Sequence, residues 1–283
     1  MPIENVSDTA RWVAVYRVME SARPDALFHD PYADRLAGER GHQILASMKH
    51  GREYAWPMIV RTAIFDEIIL DAVWKRQADL VVNLAAGLDA RPWRLPLPPE
   101  LHWVDVDLPG ILNYKTEMLR DEKPRCHYEA VTIDLTDAGA RRALFARLGA
   151  ESKRAIVITE GLLIYLDPEQ VAALAADLHA QASFQEWLTD LGSPDLLKRM
   201  SRTWGKTLAE AGAPFKFAPA EGTDFFRPYG WREAQWRSTW EEAQRLNRTM
   251  KGAWIWNLIG RVMPKSKREE FRRFSGQVLL ERA

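Results

Sequence analysis

The chain has 283 residues, 47% hydrophobic and 28% charged, with 39 basic and 39 acidic side chains and a net charge of zero. That is enough to bury a large α/β core, and the balance gives no general pull toward nucleic acid. One cysteine, Cys126, excludes an internal disulfide and a multi-cysteine metal site, and it fits a reducing cytoplasm.

Taken in chain order, residues 1–20 carry early acids and no apolar stretch with a cleavage signal, so no secretory leader is read there. Residues 7–22 read as a helix, with Trp12, Val15, Val18 and Met19 at helical spacing and Ser7 or Asp8 as its cap. "HDPYADRLAG" (29–38) reads as a turn into a short helix ending at Gly38, and 56–77 as a long helix with Pro57 in its first turn. Strands follow at 79–84, 101–106, 126–133, 154–159 and 182–189, with helices at 108–121, 137–148 and 168–180 between them. That alternation predicts a parallel, doubly wound sheet. Residues 190–262 break the rhythm, and two short strands lie near 231–237 and 275–282. The expected division is a helical segment at 1–78 covering the site, a cofactor-binding core at 79–190, an aromatic-rich cap at 191–262 and a closing strand within 263–283. No run of apolar residues is long enough to cross a membrane. The histidines (29, 42, 50, 102, 127 and 179) show no metal-ligating spacing, so no metal site is expected.

Polar groups gather at four strand ends. "NLAAGLDARPWRL" places Ala85-Ala86-Gly87 after the first strand, where small residues admit a ligand close to the backbone. "HWVDVDLP" ends the second strand on Asp107, 20 residues after Gly87, where an acid accepts hydrogen bonds from a ribose diol. Asp134 in "VTIDLTD" and Glu160 in "VITEGLLIYLDPEQ" end the third and fourth. Each has a plain alternative. Ala85-Ala86-Gly87 can be packing, Asp105, Asp107 and Asp134 can cap helices, and Glu160 can be a solvated loop acid. Together they point to a nucleoside site. A dinucleotide would need the missing Gly-x-Gly-x-x-Gly turn to seat a pyrophosphate.

Three stretches, "NLAAGLDARPWRL", "VDVDLPGILNYK" and "TEGLLIYLDPEQV", resemble the leucine carboxyl methyltransferase-like class I methyltransferases. The N-terminal "TARWVAVYRVMESARPDALFHDPYADRLAG" and "FFRPYGWRE" resemble the bacterial branch tied to polyketides and other secondary metabolites. The resemblance spans roughly residues 7–190. It implies a Rossmann-like sheet with a C-terminal antiparallel strand and a helical cap, and S-adenosylmethionine as cofactor. It places Ala85 and Gly87 against the cofactor, Asp107 with Leu108 at the ribose, Asp134 and Leu135 beside the adenine, and Glu160 with Gly161 at the amino-acid end. Ala85 stands where the family has glycine. Arg61 matches an arginine that pairs with the cofactor carboxylate; without the resemblance, an ion pair to Glu67 or Asp66 is the plainer reading. The implied activity is O-methylation of a small hydrophobic acceptor, most often at a carboxylate, with phenol or enol hydroxyls as the alternative. A nicotinamide-dependent oxidoreductase and a non-catalytic cofactor-binding protein are the other readings.

On the acceptor side, Tyr165 is placed near the methyl group, and Arg11 and Arg227 are candidates to hold an acceptor carboxylate. The late aromatics Trp187, Trp204, Trp231, Trp236, Trp240, Trp254, Trp256, Phe215, Phe217, Phe225, Phe226 and Tyr229 suggest an apolar pocket, although most are expected to be ordinary packing. "GAWIWNLIGRVMPKSKREEFRR" also has the look of an amphipathic surface helix for a membrane or partner, a reading disfavoured by its short basic cluster.

Overall fold

The structure, a computed structural model, describes residues 6–48, 51–210, 212–250, 252–253 and 263–283. Its centre is a seven-stranded sheet in the order β3-β2-β1-β4-β5-β7-β6. Strands β1 (Leu80–Leu84), β2 (His102–Asp107), β3 (His127–Thr132), β4 (Ala155–Thr159) and β5 (Phe184–Gly192) run parallel. β7 (Ser275–Arg282) lies antiparallel between β5 and β6 (Trp231–Ser238). β6 therefore closes one edge of the sheet, from within the stretch expected to be cap.

The apolar runs explain the layering. "LVVNL" and "AIVIT" are buried at every position because they are central strands covered on both faces. Their side chains alternate. Val81, Trp103, Ile156, Leu188 and Leu279 pack with Val60, Ile64, Phe65, Ile68 and Ile69 of α3 (Ala55–Trp74). Val82, Val104, Val157, Trp187, Val278 and Leu280 face the other way. They pack with Leu144, Phe145 and Leu148 of α6 (Ala138–Glu151) and Val171, Leu174 and Leu178 of α7 (Pro168–His179). Each such side chain, fully buried, contributes roughly 1.5–3 kcal/mol. Asp137 caps α6 by accepting from the Gly139 and Ala140 N–H groups, so Asp134 is not that cap.

Most late aromatics belong to this core. Trp187 stands edge-on to Phe226 (5.1 Å) and Trp231 (5.7 Å), all three fully buried. The Trp187 indole donates to Thr159 Oγ1 and the Trp231 indole to the Ala175 carbonyl. Trp254 and Trp256 lie outside the described residues, as does the Trp204 side chain. Residues 254–262 of the amphipathic stretch also fall there.

The chain leaves β1 toward β2 and β3 and returns to β4 on the other side of β1, which opens a crevice at the carboxyl ends of these strands. The N-terminal helices roof it. α1 (Val6–Ser21) and α2 (Ala33–Ser47) pack with Leu88, Ala90 and Trp93 beyond β1. Gly38, at φ +59°, kinks α2 instead of ending it.

Candidate active site

The turn after β1 is built under strain. Ala85 sits at φ +55° and Gly87 at φ +51°. The positive φ costs Gly87 nothing, whereas an alanine there costs about 1–2 kcal/mol. Ala85→Gly is therefore expected to raise stability by about 0.5–1 kcal/mol, read as a higher denaturant midpoint. A lower midpoint would contradict the strain.

Beneath the turn lies a buried polar network. The Asn83 amide donates to Asp105 Oδ1 and to Asp89 Oδ2, each at 3.1 Å. Lys115, from α5 (Pro109–Met118), donates to Asp105 Oδ2 at 2.6 Å with both side chains fully buried. Asp105 thus anchors the network and caps no helix. Arg91, in the short helix α4 (Arg91–Arg94), is 2% exposed and touches three carboxylates: Asp66 (2.6 Å), Asp89 (2.6 Å) and Glu160 (2.8 Å). Burial alone would push the Asp89 carboxyl up; Arg91, then Lys115 and Arg94, overcome it and hold it at about 2.

Over this base Asp107, Glu160 and Asp190 line a common cavity of about 1100 Å³. Asp107 accepts from the Gly87 N–H at Oδ2 and from the Leu108 N–H at Oδ1, both at 2.7 Å. These bonds fix the carboxylate and leave it lone pairs to offer. Burial raises its pKa. Across the cavity, Glu160 Oε1 lies 3.0 Å from Arg61 Nε, and Asp190 Oδ2 lies 3.3 Å from Arg61 Nη1. Asp190 Oδ1 also accepts from the Gly161 N–H at 2.6 Å, and burial raises its pKa. Burial likewise raises Tyr165, whose hydroxyl shares a hydrogen bond with Thr9 of α1.

The structure brings Arg61, Ala85, Gly87, Asp107, Leu108, Glu160, Gly161 and Tyr165 to one cavity wall. Four candidates lie elsewhere. Arg11 stacks on the Tyr114 ring at 3.9 Å, in a separate small pocket. Arg227 is exposed and paired with Asp224 at 2.7 Å. The Asp134 carboxylate turns back to accept from the Thr136 N–H and hydroxyl, and Leu135 packs on the core. Neither lines the cavity. Sequence reading missed Asn83, Asp89, Arg91 and Asp190 as parts of the site. The rule that singled out Asp107, an acid ending a strand, finds Asp190 too once β5 is carried to Gly192. The alternative partners for Arg61 are taken: Asp66 by Arg91 and Arg94, and Glu67 by Arg237 and Arg245.

Residues 10–179 match the leucine carboxyl methyltransferase family. The chain belongs to that family. Relatives named as candidate S-adenosyl-L-methionine-dependent methyltransferases agree. One from Mycolicibacterium smegmatis is 34% identical over 195 residues, 62% of this chain and 63% of its own length. One from Mycobacterium sp. (strain KMS) is 31% identical over 251 residues, 80% of this chain and 83% of its own. The chain thus spans just under two thirds of the first relative and most of the second. Two solved structures share the fold. A DUF574 family protein from Streptomyces avermitilis has TM-score 0.60 at 11% identity, over 97% of both chains. A candidate methyltransferase from Thermobifida fusca has TM-score 0.58 at 14% identity, over 89% of this chain and 92% of its own. The family and the sheet order make this a class I methyltransferase fold.

S-adenosylmethionine, the family's cofactor, suits the groups present. Arg61 Nε is buried with no hydrogen bond, although Glu160 lies beside it, so this cation has bonding capacity left for a carboxylate. A Cβ added to Gly161 would sit 3.0 Å from Arg61 Nη1, so glycine keeps that approach open. Asp107 retains acceptors for a diol. No helix among the described residues is long and apolar enough to cross a membrane.

Proposed function

We propose that the protein is an S-adenosylmethionine-dependent O-methyltransferase that esterifies a carboxylate on a small hydrophobic acceptor, aromatic or polyketide-like. When bound, the cofactor supplies a methyl group already activated on a sulfonium. Asp107 accepts the ribose hydroxyls, Leu108 borders the adenine, and Arg61 pairs with the cofactor carboxylate. Glu160, held between Arg61 and Arg91, faces the ammonium. The protein then has to align and desolvate the acceptor.

One observation carries the choice of acceptor: the carboxylates in the described wall are already committed. Asp89 is bound by Arg91, Asp107 by two backbone N–H groups, Glu160 by two arginines, and Asp190 by Arg61 and Gly161. Asp195 pairs with Lys198 and Glu270 with Lys267. The described wall includes neither histidine nor cysteine. A phenol, of pKa about 10, needs a base, whereas a carboxylic acid of pKa about 4 is ionised already. The rate should stay nearly flat from about pH 6 to 8. Transfer from a deuterated methyl donor should yield a labelled product cleaved by mild alkali. A product stable to alkali identifies an ether and contradicts the ester. The hydroxyl reading rests on Asp190, whose raised proton affinity suits a base; a rate climbing with pH would favour it.

α1 and α8 (Pro194–Glu210) supply much of the wall, including Thr9, Trp12, Leu196, Arg199 and Met200, and we propose that they form a cover closing over both ligands. Cofactor binding should slow amide exchange in both helices. Protection confined to the strand-end turns would contradict a cover. The proposal places the enzyme in the cytoplasm, with its lone cysteine buried and reduced.

A further inference from the structure

The cavity is larger than one cofactor requires. At about 1100 Å³ it exceeds the usual range of single-ligand sites, roughly 300–1000 Å³. Beyond Arg61 and Asp190 its wall turns apolar. Trp56 and Trp240 meet edge-on at 6.1 Å, and Trp240 meets Phe271 at 5.9 Å. Phe271 is 36% exposed and Met250 38%, so this apolar strip runs out to solvent. A hydrophobic body laid along it would have its inner end at the strand-end groups and its outer end at the surface.

The outer end meets positive charge. Residues 194–210 and 265–273 hold nine Lys and Arg against four Asp and Glu, on a chain whose net charge is zero. Both segments reach the cavity wall, through Arg199 and Arg202 of α8 and Lys267 of α10 (Lys265–Arg272). The two acids there are neutralised locally, Asp195 by Lys198 at 3.2 Å and Glu270 by Lys267 at 2.8 Å. Arg199 rests on the Phe274 ring at 5.3 Å, and neither Arg199 nor Arg202 forms an ion pair with a described residue. The surplus at the mouth is therefore two arginines, whose planar forks suit a carboxylate or phosphate oxygen pair.

We infer that the acceptor is a two-headed anion. Its apolar body lies along Trp56, Trp240 and Phe271, one carboxylate reaches the methyl donor, and a second anionic group is held at the mouth by Arg199 and Arg202. The inference rests on the carboxylate-methyltransferase reading and adds what that reading lacks, a reason for the outer cations. In the reaction a carboxylate oxygen of the inner head forms the bond to the methyl carbon as the carbon–sulfur bond breaks. The electron pair goes to sulfur, giving a methyl ester and S-adenosylhomocysteine with no proton transferred. The outer head, held away from the donor, is not methylated, so the product is a mono-ester.

The probes are α,ω-dicarboxylates of 8 to 16 carbons, monocarboxylates of the same lengths, and their ω-phosphate and ω-trimethylammonium analogues, each with S-adenosylmethionine. At the best length, kcat/KM for the dicarboxylate should exceed that for the monocarboxylate at least tenfold, with mono-ester as product. The ω-phosphate should match the dicarboxylate or surpass it, and the ω-trimethylammonium acid should be the poorest substrate. In the Arg199→Ala/Arg202→Ala protein the ratio of dicarboxylate to monocarboxylate kcat/KM should fall to about one, the loss falling on the KM of the dicarboxylate. An Arg199→Lys/Arg202→Lys protein should recover part of the preference. Equal rates for dicarboxylate and monocarboxylate at every length, or a preference that survives the double alanine change, overturns the inference and leaves the methyltransferase standing. Absence of S-adenosylhomocysteine binding is a separate result that removes the reading beneath it.

Discussion

Replacing Asp107 with alanine should raise the dissociation constant for S-adenosylhomocysteine by about 30- to 1000-fold, corresponding to roughly 2–4 kcal/mol. The carboxylate sits where β2 ends, and the Gly87 and Leu108 N–H groups hold it at 2.7 Å each. Those bonds orient it before a ligand arrives, so its remaining lone pairs meet the ribose hydroxyls without reorganisation. Its raised pKa shows that burial opposes the charge. Loss of this group thus removes an unfavourably buried anion as well as two turn contacts, and folding should suffer much less than binding. Asp107→Asn is the sharper comparison. The amide nitrogen cannot accept from an N–H, so one side of the turn is lost while the volume is kept. Unchanged affinity in folded Asp107→Ala would remove Asp107 from the ribose site.

Arg91→Met should be the most damaging single change to stability. It takes one cation away from Asp66, Asp89 and Glu160 inside the protein. Asp66 keeps Arg94 and Glu160 keeps Arg61, but Asp89 loses its nearest cation. Breaking a buried pair in this way costs about 3–5 kcal/mol, or roughly 6–20 °C in melting temperature for a chain of this size. The sign of its pH dependence follows from Asp89. Its folded carboxyl titrates at about 2, below the ordinary 3.8, so its ionised form stabilises the fold fully above about pH 4. That stabilisation fades as pH falls toward 2. In Arg91→Met the unpaired carboxylate is relieved by protonation, so the stability gap to the parent should narrow as pH falls from about 4 toward 2. A gap that stays constant, or a loss under about 1 kcal/mol, would mean the network is not held by charge.

What the sequence discloses here depends on how locally each feature is determined. "LVVNL" and "AIVIT" announce central strands because burial on both faces leaves no room for polar residues. Gly87 is legible because positive φ selects glycine, and Asp107 because strand ends converge on one crevice. Ala85 shows the limit of that rule: the same φ sign is borne by a residue with a Cβ. Arg11 was not legible. Its face of α1 is decided by α5, whose Tyr114 ring receives the guanidinium. Arg91 was quoted but given no role, since its three acidic partners come from α3, the β1 turn and the end of β4. The late aromatics suggested a pocket by number alone, yet Trp187, Phe226 and Trp231 fill the space between β5 and α7, where volume matters and sequence spacing does not show it. Trp240 reaches the cavity because α9 (Thr239–Arg245) follows β6 at the sheet end nearest α3.

The crevice between β1 and β4 is expected to hold a nucleoside methyl donor and no pyrophosphate. Calorimetric titration of the full chain with S-adenosylhomocysteine, and separately with NAD, tests it directly. Saturable one-to-one binding of S-adenosylhomocysteine and no measurable heat with NAD are expected. Binding of NAD, or no binding of S-adenosylhomocysteine by folded protein, would contradict it.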